Sequence, residues 1–144
     1  MTSKTQLTWL ENLTFEAEVD GFKFKLDSNY GSENPLQGMR PKPLLLAALS
    51  GCSAMDAVSI LTKKRITGYQ LRIDMEGELT DEMPATYSTI RMNFRFTGEN
   101  LPKDHIIRAV ELSITKYCAV HVMLSKAAKI TTTIYINNEE IWHD

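Results

Sequence analysis

Residues 40–61 read RPKPLLLAALSGCSAMDAVSIL, and this stretch decides the fold. Pro43 suits the first turn of a helix, where a missing N–H costs nothing because no intrahelical acceptor awaits it. From there Leu44, Ala48, Gly51, Met55 and Val58 recur at spacings of four and three, and Leu45, Leu49, Cys52, Asp56 and Ser59 form a neighbouring stripe. A helix apolar over so much of its circumference belongs at the centre of a structure. Ala47, Ala48, Gly51 and Ala54 remove bulk from its middle, so a partner helix can come close. Ser50, Ser53, Asp56 and Ser59 interrupt the run, and a mid-bilayer aspartate alone costs about 3 kcal/mol. The segment therefore reads as a buried helix and not as a membrane span. Lys63, Lys64 and Arg65 complement the negative end of its dipole, and Gly68 lies just beyond.

On the N-terminal side, residues 27–43 are rich in Gly, Ser, Asn and Pro and form an irregular crossing. Before it, Leu13, Phe15, Ala17 and Val19 alternate with Thr14, Glu16 and Glu18, while Phe22, Phe24 and Leu26 alternate with Lys23 and Lys25. This is the period of half-buried strands, with Asp20-Gly21 as a two-residue hairpin turn and a further strand over 5–10. On the C-terminal side, Tyr69, Leu71, Ile73 and Met75, then Ile90, Met92, Phe94 and Phe96, predict a second hairpin turning at 81–84. Ile107, Val110, Ile114 and Tyr117 predict a helix over 103–117, a shorter helical segment covers 119–128, and Ile130 to Ile136 make a last strand. The predicted order is βββαββααβ, an α+β fold with mainly antiparallel sheets around long central helices.

The chain has 144 residues, enough for one ordinary domain spanning 1–144. A net charge of −2 lacks the basic surplus of a nucleic-acid backbone binder, and 43% apolar with 24% charged residues is ordinary for a soluble globular protein. The first twenty residues carry no apolar run of the kind a signal peptide needs, so a cytoplasmic location is expected. Neither nucleic acid nor membrane is an expected partner.

Two cysteines, Cys52 and Cys118, stand 66 positions apart (118 − 52), which excludes C-x-x-C chemistry and an all-sulfur zinc site. Each lies on an apolar helical stripe, and each reads either as a small core residue or as half of a redox pair. Cys118 and His121 share one helical face, but two ligands do not make a metal site; His105 and His143 have no second ligand at a useful interval. No metal and no cofactor are expected. Asp56, one turn beyond Cys52, would raise that thiol's pKa and needs a cation, with Arg40 and Lys63 as candidates.

The stretch at 40–61 and the stretch RAVELSITKYCAVHVMLSKAAKI at 108–130 together resemble the OsmC/Ohr family of osmotically inducible and organic hydroperoxide resistance proteins. The first is similar to the family's Pro-led central helix with its (A/S)-G-C core, the second to its cysteine-bearing helix junction, and the wording GCSAMD is nearest the less characterised OsmC-like branch. The resemblance implies an intertwined homodimer with two thiol sites at the subunit interface. It places Cys52 at the peroxidatic position and Cys118 at the resolving one, with a small-molecule peroxide as substrate and an external thiol as reductant.

Two departures stand out. The hydroperoxide enzymes carry a glutamate ten residues before the first cysteine, where this chain has Lys42. They also draw a thiolate-stabilising arginine from the N-terminal strands, whereas residues 1–39 contain no arginine and Arg40 is the nearest substitute. The leading expectation is a cysteine-dependent peroxidase or related redox protein, and the missing groups predict slow turnover. The alternative is a non-enzymatic ligand-binding or thiol-sensing dimer on the same fold. A thioesterase built from a helix wrapped by a sheet is disfavoured by the two cysteine stretches.

Overall fold

A computed structural model describes residues 1–29 and 31–144. The chain divides into two compact units, Met1–Leu45 and Leu46–Asp144.

The first unit is a three-stranded antiparallel sheet in the order β1 (Thr5–Glu11), β2 (Thr14–Val19), β3 (Phe22–Leu26). Asp20 and Gly21 take φ values of +52° and +83°, the pair of positive angles that a tight hairpin matching the sheet twist demands. The register sorts the side chains by chemistry. Leu7 faces Ala17 and Ala17 faces Phe24, while Trp9 faces Phe15 and Phe15 faces Leu26. The opposite face pairs Glu16 with Lys25 and Glu18 with Lys23. After β3 the chain doubles back: the Asp27 N–H donates to the Met39 carbonyl and the Met39 N–H to the Lys25 carbonyl, each at 3.0 Å. Gly38 is required there, because a Cβ would collide with the Lys25 backbone carbonyl. The Asp27 carboxylate closes the loop by accepting from the Gln37 N–H at 2.8 Å and the Ser28 N–H at 2.7 Å.

Helix α1 runs Pro41–Lys63, starting two residues ahead of the predicted Pro43. It buries Leu49, Ser53, Ala57 and Leu61, a single row at spacings of four. The second stripe singled out in the sequence shares only Leu49 with this row, the first shares none, and Leu45, Met55 and Val58 remain exposed, Met55 at 74%. By length and composition alone α1 is apolar enough to cross a membrane.

The second unit holds a four-stranded sheet, β4 (Tyr69–Leu79), β5 (Tyr87–Gly98), β6 (Lys129–Ile136) and β7 (Glu139–His143), in that spatial order. β4 and β5 form the predicted hairpin. β5 and β6 run parallel, which requires a long crossover, and residues 99–128 provide it. β7 extends the predicted order by one strand; it is short and begins with Glu139 and Glu140, so alternation alone does not mark it. Ile90, Met92, Phe94 and Phe96 of β5 are buried with Leu49, Ala57 and Leu61 of α1 and with Ile106, Ala109 and Val110 of the next helix, making a continuous core.

The crossover departs from the predicted continuous helix over 103–117. Helix α2 covers Lys103–Leu112, a π-helical turn follows over Ser113–Tyr117, and helix α3 is Ala119–Ser125. The wide turn is closed by the Cys118 N–H donating to the Ser113 carbonyl five residues back, at 2.8 Å. Cys118 itself is extended, with φ −73° and ψ +101°. The predicted helical row through Val110 and Ile114 therefore ends before Cys118. Such widened turns are frequent at functional sites.

Candidate active site: two thiols and a carboxylate

Cys52 stands in the middle of α1 and Cys118 at the break between the π-helical turn and α3, and the fold brings them together. The two sulfurs and a carboxylate oxygen of Asp56 all lie within 4.8 Å of one another. Asp56 reaches this cluster because it is one helical turn beyond Cys52, on the same stripe. Cys118 is 1% exposed, whereas Cys52 and Asp56 are half-buried. A molecule arriving from solvent therefore meets the Cys52 sulfur more readily than that of Cys118.

Serine side chains hold the cluster in place. The Ser53 hydroxyl, fully buried, donates to Cys118 Sγ at 3.2 Å. The Ser113 hydroxyl donates to the Ser53 carbonyl at 2.9 Å and lies 3.5 Å from Asp56 Oδ2. The crossover is thus tied to α1 at the level of the thiols. The His121 N–H also donates to Cys118 Sγ at 3.3 Å, so the cysteine side chain caps the start of α3. Sequence reading missed both serines. A signal existed, since Ser53 interrupts the row Leu49, Ala57, Leu61, where a hydroxyl must find a buried partner.

Burial pushes the Cys118 thiol upward in pKa. The Ser53 hydrogen bond pulls it down, the neighbouring Cys52 pushes it up again, the His121 N–H pulls it down, and the balance is upward. Cys118 therefore rests as a protonated thiol at neutral pH. His121 takes no part through its ring: burial lowers its pKa, Asp144 opposes that, and its Nε2 is buried without a hydrogen-bond partner among the described residues. The ligand atoms gathered around Cys118 come from Cys52 and Asp56 and not from the C-x-x-H histidine.

Asp56 forms no ion pair with a lysine or arginine among the described residues; its recorded partner is Ser113. It lines a pocket of about 390 Å³ to which Lys63 and Lys64 also contribute. Arg40, the candidate thiolate-stabilising cation, lies in the other compact unit, immediately before α1, and is exposed with no carboxylate partner among the described residues.

Comparison with known proteins places this geometry in context. Residues 31–133 match the family model described as OsmC-like protein. Protein YhfA of Escherichia coli (strain K12) is 37% identical over 129 residues, covering 89% of this chain and 93% of YhfA. Among solved structures, a hypothetical protein from Aquifex aeolicus VF5 superposes with a TM-score of 0.84 at 23% identity, over 95% of this chain and 97% of that one. The organic hydroperoxide resistance protein OhrB of Bacillus subtilis superposes with a TM-score of 0.65 at 11% identity, over 94% of this chain and 98% of its own. At those identities the two structures establish a shared fold.

Proposed function

This chain belongs to the OsmC-like protein family, and from that membership we propose that it is a thiol-dependent peroxidase acting through Cys52 and Cys118. The observation that carries the proposal is the approach of two sulfurs, 66 residues apart in sequence, to within 4.8 Å. The exposure difference supports Cys52 as the attacking thiol and Cys118 as the resolving one. The Cys52 thiolate attacks the terminal oxygen of a hydroperoxide; the O–O bond breaks, an alcohol or water leaves, and Cys52 becomes a sulfenic acid. Cys118, which rests protonated, loses its proton as its sulfur attacks the Cys52 sulfenyl sulfur, expelling water and forming the disulfide. An external dithiol, or two monothiols in succession, returns two electrons by exchange through a mixed disulfide, restores both thiols and leaves as its own disulfide.

We place the reaction in a cytoplasmic homodimer. Leu45, Met55 and Val58 on α1 and Leu7, Trp9 and Leu10 on β1 are exposed, and apolar area of this extent in a soluble chain asks for cover that a second copy supplies. Slow turnover follows from the charge beside the pair and from the missing family groups. Asp56 adds negative charge beside the sulfurs, and Arg40, the candidate cation, has no carboxylate to fix its guanidinium among the described residues. Imperfect positioning of such a group commonly costs about a hundredfold in rate. The uncompensated carboxylate is also what favours the second reading, a thiol sensor on the same dimer that oxidises without rapid turnover.

Peroxide treatment followed by mass spectrometry of non-reduced digests is the test. The expected product is an intramolecular Cys52–Cys118 disulfide, and Cys118→Ser leaves Cys52 open to sulfinic acid formation instead. Sulfenic acids alone, or bridges between subunits, overturn the assignment. A coupled assay separates enzyme from sensor by multiple turnovers, and Arg40→Ala lowers kcat/KM further if that guanidinium supports the thiolate. An unchanged rate gives the role to another group.

A further inference from the structure

The same three groups that a disulfide mechanism uses only in part form a near-complete ligand set. With both thiols ionised, Cys52, Cys118 and Asp56 carry three negative charges in a half-buried space, and no lysine or arginine among the described residues pairs with Asp56. A cation is the direct remedy for such a charge. Two thiolates and one carboxylate are soft enough to select a thiophilic divalent ion over magnesium or calcium. Around tetrahedral zinc, sulfur and oxygen ligands sit roughly 3.6–3.8 Å apart, given metal–ligand bonds of about 2.0–2.3 Å. Atoms already within 4.8 Å need to close by only about 1 Å, within reach of side-chain rotation at Cys52 and Asp56.

The surroundings fit a ligand site. Ser53 and the His121 N–H donate to Cys118 Sγ, and Ser113 lies beside Asp56 Oδ2, the kind of outer hydrogen bonds that orient metal ligands. Three protein ligands leave a fourth position open, and Asp56 lines a pocket shared with Lys63 and Lys64. These lysines suit the single negative charge of a complex of one divalent ion, two thiolates and a carboxylate.

We propose that reduced Cys52, Cys118 and Asp56 bind one zinc-like divalent cation, and that this state and the Cys52–Cys118 disulfide exclude each other. Binding is written Zn²⁺ + 2 RSH + RCOO⁻ → Zn(RS)₂(RCOO)⁻ + 2 H⁺, so each ion releases two protons. Sulfur in the disulfide has no thiolate to offer, and metal-bound sulfur is withheld from oxidants. The metal thereby sets the fraction of chains available to peroxide. Considering Cys118 and His121 alone predicts no such site, because Asp56 joins the sulfurs only in the folded chain.

The test uses the full, tag-free chain, reduced and freed of metal with a chelator. Titration with Cd²⁺ is followed by thiolate-to-metal charge-transfer absorbance, and titration with Zn²⁺ by competition with a chromophoric chelator and by proton release. The expected result is one ion per chain, two protons released, thiols protected from alkylation, and no binding after peroxide oxidation. Asp56→Asn, checked for folding by circular dichroism, should weaken binding at least tenfold. Absence of the thiolate band or of saturation at one equivalent in the unaltered chain overturns the proposal, as does unchanged affinity in folded Asp56→Asn. Disulfide mapping on the same preparation keeps the two readings apart: a peroxide-induced disulfide without metal binding sinks the metal site and leaves the redox pair standing, and metal binding without a disulfide does the reverse.

Discussion

The two compact units solve the problem of their apolar side chains in opposite ways. In Leu46–Asp144, every second residue of β5 from Ile90 to Phe96 is buried in one core with residues of α1 and α2. In Met1–Leu45, the alternation along the strands is just as regular, yet every residue of β1 is exposed, with Trp9 at 65% and Phe22 at 76%. One sheet owns a continuous core; the other buries little beyond Ala17 and Thr14 and otherwise rests on ladders, turns and an apolar face. A period of two therefore identifies a strand without saying whether its face is covered, because cover is supplied by another element or another chain.

The largest effect expected from this contrast is in the second unit. Phe94→Ala removes a fully buried ring and should cost about 3–5 kcal/mol in urea unfolding. A loss under about 1 kcal/mol would mean that β5 is not the heart of the fold.

Next comes the uncovered face of the first unit. Trp9→Lys should change urea unfolding of the isolated chain little, while weakening self-association at least tenfold, about 1.4 kcal/mol, in sedimentation equilibrium. A wild-type chain that stays monomeric at micromolar concentration breaks the comparison, since the exposed face would then need no second copy.

The smallest effect concerns the loop that substitutes for a core in the first unit. The Gln37 N–H holds the Asp27 carboxyl below the usual carboxylate range against the opposing pull of burial, and the Ser28 N–H adds to it. A depressed native pKa means that the stabilisation is present above the unfolded carboxylate's value, about 3.9, and is lost as pH falls through the native value. The protection of the Ser28 and Gln37 amides, measured as observed exchange against the intrinsic rate at each pH, should therefore fall on acidification below about pH 4. Asp27→Asn should raise exchange at neutral pH and flatten this dependence; an unchanged acid profile would assign the loop's stability to the Met39 and Lys25 backbone bonds alone.

The regular elements were legible because they rest on local periodicity. Alternation announces two strands between Leu13 and Leu26, two between Tyr69 and Phe96 and one from Ile130 to Ile136, and Asp20-Gly21 announces its turn by the positive φ it requires. The cysteines were legible as candidates from their stripes, and the likeness of the two stretches around them to one family paired them. β7 was not, for its glutamates blur the pattern, and neither was the π-helical turn, whose extra residue per turn leaves no mark on a row spaced by four.

By itself, then, the sequence determined the helices and strands other than β7 and the π-helical turn, since those follow from side-chain period and backbone preference over a few neighbours. Tertiary structure alone decided which row of α1 is buried, that Cys118 leaves the helix and becomes a cap, and that Ser53, Ser113 and Asp56 gather at the sulfurs. These are contacts across some sixty residues of chain. They exist because the crossover between two parallel strands must pack back onto α1, a constraint that acts only once the sheet has formed.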